Sequence, residues 1–98
     1  NADGTKTTSY LPSPVMSTYL NAFLIADFDY IDNSATKLPN ETYQRIISRS
    51  DAVNKTQFAL DNSILALNAL ESYANFKYEI TKMDSAAVPN KGSAMENW

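Results

Sequence analysis

The sequence predicts an α+β fold, and three observations carry that expectation. β-branched and aromatic residues dominate from Val15 to Tyr30, with no Gly or Pro between them. A stretch beginning near Asn54 then repeats its apolar residues at helical spacing. Two shorter strand-like runs, Tyr43–Ser48 and Met83–Val88, lie on either side of it.

Residues 1–14 are polar and then proline-containing, in Ser9-Tyr10-Leu11-Pro12-Ser13-Pro14. The prolines exclude a helix and favour extended backbone leading into a strand. From Val15 to Tyr30 a long strand is expected, bent midway. Met16, Thr18, Leu20, Ala22, Leu24, Ala26 and Phe28 share one parity, while Tyr19, Phe23 and Ile25 fall on the other. Part of that strand should therefore be buried on both sides. Asp32 to Asn40 reads as a loop by its turn residues.

Next come the second strand, Tyr43–Ser48, and a helix start in which Asn54 caps and Gln57 reaches back as in a capping box. The helix should run to about Tyr73 or Phe76 and span roughly 30 Å. Leu60, Ile64, Leu67 and Glu71 trace one row along it, and Phe58, Leu65, Ala69, Tyr73 and Phe76 an adjacent one. Both rows read as core, so the helix needs a large surface to lie on. The third strand, Met83–Val88, ends at Pro89-Asn90-Lys91-Gly92.

Composition narrows the function classes. At 98 residues the chain is one domain's worth at most. A 44% hydrophobic and 11% aromatic content is that of a globular chain. The net charge of −3 and the lack of a basic cluster leave nucleic-acid binding unsupported. With no Cys there is neither a disulfide nor a thiolate metal site. With no His, a His-Glu-x-x-His zinc site and any Ser-His or Cys-His nucleophile pair are excluded within these residues. Asp27, Asp29 and Asp32 do not follow the EF-hand pattern and read as a solvated strand end. No run approaches the roughly 18 apolar residues of a membrane span. Two N-glycosylation sequons occur, at Asn40 and Asn54, and they fit an extracellular or cell-surface protein.

The last seven residues are the most informative. Gly92-Ser93-Ala94-Met95-Glu96-Asn97-Trp98 resembles the G-A-M-E-N exopeptidase motif of the M1 zinc aminopeptidases, with the Trp that usually trails it. Further blocks keep their order over Pro14 to Trp98. Pro14-Val15-Met16-Ser17-Thr18-Tyr19-Leu20, with Ala22-Phe23 and Asp27-Phe28, is similar to a strand of that family. Tyr73, Tyr78 and Lys82-Met83-Asp84 resemble its helix and the approach to the catalytic domain, and Ala87-Val88-Pro89 the strand before the motif. There are departures. Ser93 stands at the motif's first Gly, the loop from Pro89 is one residue short, and Glu79-Ile80-Thr81 replace expected prolines.

The resemblance implies a segment of a zinc-dependent aminopeptidase acting on peptides with a free N-terminus. Residues 1–48 would end an N-terminal β-sandwich domain. Residues 49–98 would open a thermolysin-like catalytic domain, incomplete here and without its zinc site. Glu96 would hold the substrate's α-ammonium, with Gly92, Ser93, Ala94 and Met95 offering backbone along the peptide. Asn97 would hold the loop, and Trp98 would pack. The zinc of the parent enzyme would be bound beyond this segment, so the chain alone should be inactive. The remainder of the enzyme is the expected partner, and membrane association would depend on anchors outside these residues. The alternative is a non-catalytic peptide- or protein-binding module derived from an aminopeptidase.

Overall fold

Strict alternation in the second strand seats the whole sheet. Gln44, Ile46 and Ser48 are buried, whereas Tyr43, Arg45 and Ile47 are half-buried on the opposite face. A computed structural model describes residues 1–97. Its strands are β1 (Asp29–Asp32), β2 (Tyr43–Ser48) and β3 (Lys82–Ala86), with one helix, α1 (Gln57–Ala74), between β2 and β3. Short 3₁₀ turns occupy Thr18–Leu20 and Val53–Lys55. The chain is thus a small α+β unit, a three-stranded mixed sheet with one helix.

β2 is the central strand. β1 pairs with it antiparallel, placing Tyr30 opposite Ile47 and Asp32 opposite Arg45. β3 pairs with it in parallel, placing Arg45 opposite Asp84. Parallel neighbours need a long crossover, and α1 supplies it. The β1–β2 connection is closed by the buried Asn33. Its Oδ1 accepts from the Gln44 N–H at 2.9 Å, and its Nδ2 donates to the Thr42 carbonyl at 3.2 Å. A buried amide satisfied at both ends fixes this loop without a cost in stranded polar groups.

α1 lies on the Gln44–Ile46–Ser48 face. Leu60 is buried to 3% exposure, and Ile64, Leu67 and Glu71 are half-buried behind it. The Ser63 hydroxyl donates to Gln44 Oε1 at 2.5 Å, joining helix to sheet. At its C-terminus Asn75 takes the left-handed conformation with φ 51°, and its N–H reaches the carbonyls of Glu71 and Ser72. Glu71 also turns its carboxylate onto the Tyr78 N–H at 2.9 Å, so the chain leaving the helix is held to its last turn.

The second row of α1 is not core within this chain. Phe58, Leu65, Tyr73 and Phe76 are exposed, Phe58 to 78% and Tyr73 to 92%. Periodicity marks both rows as apolar, but only one has a sheet to rest on.

The expected long strand is also absent. Within Val15–Tyr30 only Asp29 and Tyr30 join the sheet, through β1, and Thr18–Leu20 forms a turn in which Ser17 Oγ accepts from the Tyr19 N–H. Residues 21–28 are irregular, and Phe23 and Ile25 are almost fully exposed. A strand requires a ladder partner for its backbone groups, and among the described residues none reaches 21–28.

The helix start differs as well. Asn54 lies inside the second 3₁₀ turn, and Thr56 precedes α1 without a side-chain cap. Thr56 instead donates its hydroxyl to the Val53 carbonyl, and Gln57 points forward to Asp61. Asp32, read as loop, is the last residue of β1. β3 stops at Ala86 rather than Val88, because after the Ala87 N–H bonds the Ile47 carbonyl, Pro89 offers no donor to continue. The domain division expected after Ser48 falls between β2 and α1, and β2 and β3 on its two sides share the sheet.

Candidate functional site

The candidate loop is launched by β3 and lies open. Ala87 makes the last backbone bond to the sheet, donating to the Ile47 carbonyl at 2.8 Å. Asn90 then turns the chain with φ 59°. Gly92, Ser93, Ala94, Met95 and Glu96 follow, all exposed, and none of them hydrogen-bonds another described residue. A side chain at Gly92 would meet nothing within 4 Å among the described residues, so packing against them does not require the glycine.

Asn97 behaves differently. It is half-buried, and its Nδ2 donates to the Leu20 carbonyl at 3.1 Å. The loop-holding role expected from its amide chemistry thus has a definite partner. Trp98, expected to pack, lies outside the described residues.

Sequence reasoning missed a polar network on the sheet face opposite α1. Arg45 grips both carboxylate oxygens of Asp84, whose Oδ2 also accepts from Lys82. The Arg45 guanidinium sits 4.9 Å above the centre of the Tyr30 ring. Beside it, the Tyr43 hydroxyl donates to Asp32 Oδ2 at 2.6 Å, and Asp32 Oδ1 accepts from Ser34. Burial pushes the Asp84 carboxyl up, but the bonds from Arg45 and Lys82 outweigh it and hold the group below its usual range. Bonds from Ser34 and then Tyr43 keep Asp32 low in the same way. Tyr43, donating to a carboxylate, is pushed up to about 12. The parity of Tyr43 and Arg45, and of Lys82 and Asp84, is visible in the sequence; the parallel register that brings them together is not. This network fixes β3 and hence the origin of the loop.

Two shallow hollows lie elsewhere. One is lined at the end of α1 by Asn68, Glu71, Ser72, Asn75, Phe76 and Lys77; the other lies between the 37–42 and 77–81 segments. Neither includes residues 92–97. Among the described residues no group of three or more His, Cys, Asp or Glu is placed to hold a metal ion. The sequon residues Asn40 and Asn54 are both exposed.

The described residues thus form a small α+β unit, with a polar clamp on its last strand and an open loop beyond it. No family model matches the sequence. Among curated proteins it is 42% identical over 88 residues to aminopeptidase N of Plutella xylostella, covering 86% of this chain and 9% of that protein. It is 37% identical over 94 residues to aminopeptidase M1-D of Oryza sativa subsp. japonica, covering 95% of this chain and 10% of the relative. Against endoplasmic reticulum aminopeptidase 1 of Mus musculus the identity is 38% over 85 residues, covering 85% and 9% respectively. The chain belongs to the M1 aminopeptidase family. It spans about a tenth of the length of the curated relatives it matches.

Proposed function

We propose that this chain is the part of a zinc-dependent aminopeptidase that anchors the substrate's free amino terminus, through Glu96. One observation carries the reading: Glu96 is an exposed carboxylate with no described partner, at the end of an exposed run of small residues. A carboxylate held open in this way is suited to an ammonium ligand, which it would bind by charge-assisted hydrogen bonds. Gly92, Ser93, Ala94 and Met95 leave backbone donors and acceptors free for an extended peptide, in the manner of a sheet edge taking up a strand. The open space around Gly92 suits close approach of such a ligand.

The residues of this segment do not fit a zinc site. It contains no His or Cys, and its described acidic groups do not converge. The metal of the full-length enzyme would be held by other residues, and no step of hydrolysis is assigned to this chain.

The resemblance implies that the segment crosses from an N-terminal β-sandwich domain into a thermolysin-like catalytic domain. We place that junction after Ser48, with residues 1–48 ending the first domain and residues 49–98 opening the second, and with β2 and β3 of the one sheet on its two sides. The exposed row of α1 and the exposed apolar side chains of Val15 to Ile25 are the surfaces the rest of the enzyme would cover. Accessible sequons at Asn40 and Asn54 suit an extracellular or cell-surface glycoprotein. No described helix is long and apolar enough to cross a membrane.

The test is kinetic, on the full-length protein with an aminoacyl-anilide substrate. Glu96→Gln should raise KM at least about tenfold, since it removes an ionic partner worth roughly 1.5–3 kcal/mol. An unchanged KM would refute the assignment.

A further inference from the structure

We infer that Met95 is a site of oxidative modification, and that its sulfoxide weakens the hold of Glu96 on a peptide's amino terminus. The effect on binding rests on reading Glu96 as that anchor; the site itself does not. The chain has three methionines and no cysteine, so no thiol in the segment competes for an oxidant. Met16 and Met83 are half-buried, and Met83 is held in β3 in register with the buried Gln44. Met95 is 51% exposed, on a loop whose residues 92–96 make no hydrogen bond to another described residue. Access to the sulfur governs how fast a thioether is oxidised. A loop open to a peptide is open to a peroxide, which is far smaller.

The oxidant is hydrogen peroxide. The Sδ lone pair attacks one peroxide oxygen, and the S–O bond forms as the O–O bond breaks. The departing oxygen takes the proton of the transferred one and leaves as water, so sulfur loses two electrons and the peroxide gains them. An apolar, flexible side chain becomes polar and chiral, with a strong acceptor oxygen. That oxygen enters the loop one residue before Glu96, beside the 92–95 backbone that would pair with the peptide. It draws water and N–H donors to the place where the ligand's own groups should lie. No described hydrogen bond holds the loop from Val88 to Glu96, so little resists its moving to solvate the new group, and Glu96 moves with it.

The experiment exposes the full-length enzyme to dilute hydrogen peroxide, stops the reaction with catalase, and reads both a tryptic peptide map and KM. Cleavage after Lys6, Lys37, Lys82 and Lys91 places Met16, Met83 and Met95 on separate peptides, so each is its own reading. Met95 should gain one oxygen at least about fivefold faster than Met16 or Met83. KM for an aminoacyl-anilide should rise about threefold or more over the same time course, with kcat within about twofold. Treatment with both methionine sulfoxide reductases should reverse the rise. In Met95→Leu, compared with its own untreated sample, peroxide should leave KM where it was. Oxidation of Met16 or Met83 ahead of Met95 overturns the site. A sulfoxide at Met95 with KM unchanged, or an equal rise in Met95→Leu, overturns its effect on binding. If Glu96→Gln leaves KM unchanged, the underlying reading of Glu96 fails instead, and the peptide map still decides the site.

Discussion

Asp84 lies directly opposite Arg45 across the parallel β2–β3 pair and takes its guanidinium with both carboxylate oxygens. The two side chains are 23% and 24% exposed, so the pair is neither a solvated surface bridge nor a buried one. A net worth of about 1–2 kcal/mol lies between those cases. Arg45→Ala should therefore speed amide exchange along β3, near Ser85 and Ala87, by about tenfold. Arg45→Lys should recover only part of the protection, since an ammonium cannot make the two-point contact. Equal exchange in all three proteins would show that the pair contributes nothing to holding β3.

Acid should release the same strand within a defined window. The bonds from Arg45 and Lys82 keep Asp84 below its ordinary value in the fold. Its stabilisation is then complete above the unfolded carboxylate value of about 3.9 and fades as pH falls through the lower folded value. Protection of β3 should hold between about pH 7 and pH 5 and drop only below about pH 4. Asp84→Asn should lower protection throughout and flatten that acid dependence.

Tyr43 gives the alkaline counterpart. Its hydroxyl, donating to Asp32, is pushed up to about 12, so the neutral phenol favours the fold. That contribution is full below the unfolded value of about 10 and is lost as pH rises towards 12. In a tyrosinate absorbance titration, the component removed by Tyr43→Phe should be the late one. Asp32→Ala should move it back towards about 10.

The two rows of α1 should respond oppositely in the isolated chain. Leu60→Ala removes a buried side chain and should cost about 2–4 kcal/mol, enough to unfold so small a core. Phe58→Ser with Tyr73→Ser removes only exposed apolar surface, and should lower binding of a hydrophobic dye while leaving far-ultraviolet dichroism unchanged. Loss of helix in that double variant would mean that the outer row supports the fold locally.

Asn75 provides a backbone test. Its φ of 51° is tolerated by Asn and preferred by Gly, but strained for a β-branched residue. Asn75→Gly should be neutral or slightly stabilising, and Asn75→Val should cost about 1–2 kcal/mol in thermal unfolding.

What was legible in the sequence follows from where the partners of each residue lie. β2 was readable as a short strand-like run around Tyr43, Ile46 and Ile47, although the face it buries carries Gln44 and Ser48 beside Ile46 and is not marked by apolar alternation. The inner row of α1 was readable because its apolar spacing meets a sheet face within the same chain. Val15–Tyr30 carries equally strong apolar pattern, yet forms little strand, since pattern reports the tendency to be buried and not the presence of a neighbour. The capping box failed because a 3₁₀ turn absorbed Asn54 and moved the helix start to Gln57. The Arg45–Asp84 clamp could not be read, because a parallel register is set by the length and packing of the crossover. The candidate loop was visible as a motif in Gly92 to Asn97, but its tether to Leu20 needed the fold.

The most direct measurement is the preference of the full-length enzyme for a free amino terminus, with and without Glu96. An aminoacyl-anilide and its analogue carrying hydroxyl in place of the α-amine would be compared by kcat/KM. The wild-type enzyme should favour the amine by at least about tenfold, and Glu96→Gln should remove most of that preference. An undiminished preference in Glu96→Gln would mean that another group holds the amino terminus, and would contradict the role assigned to Glu96.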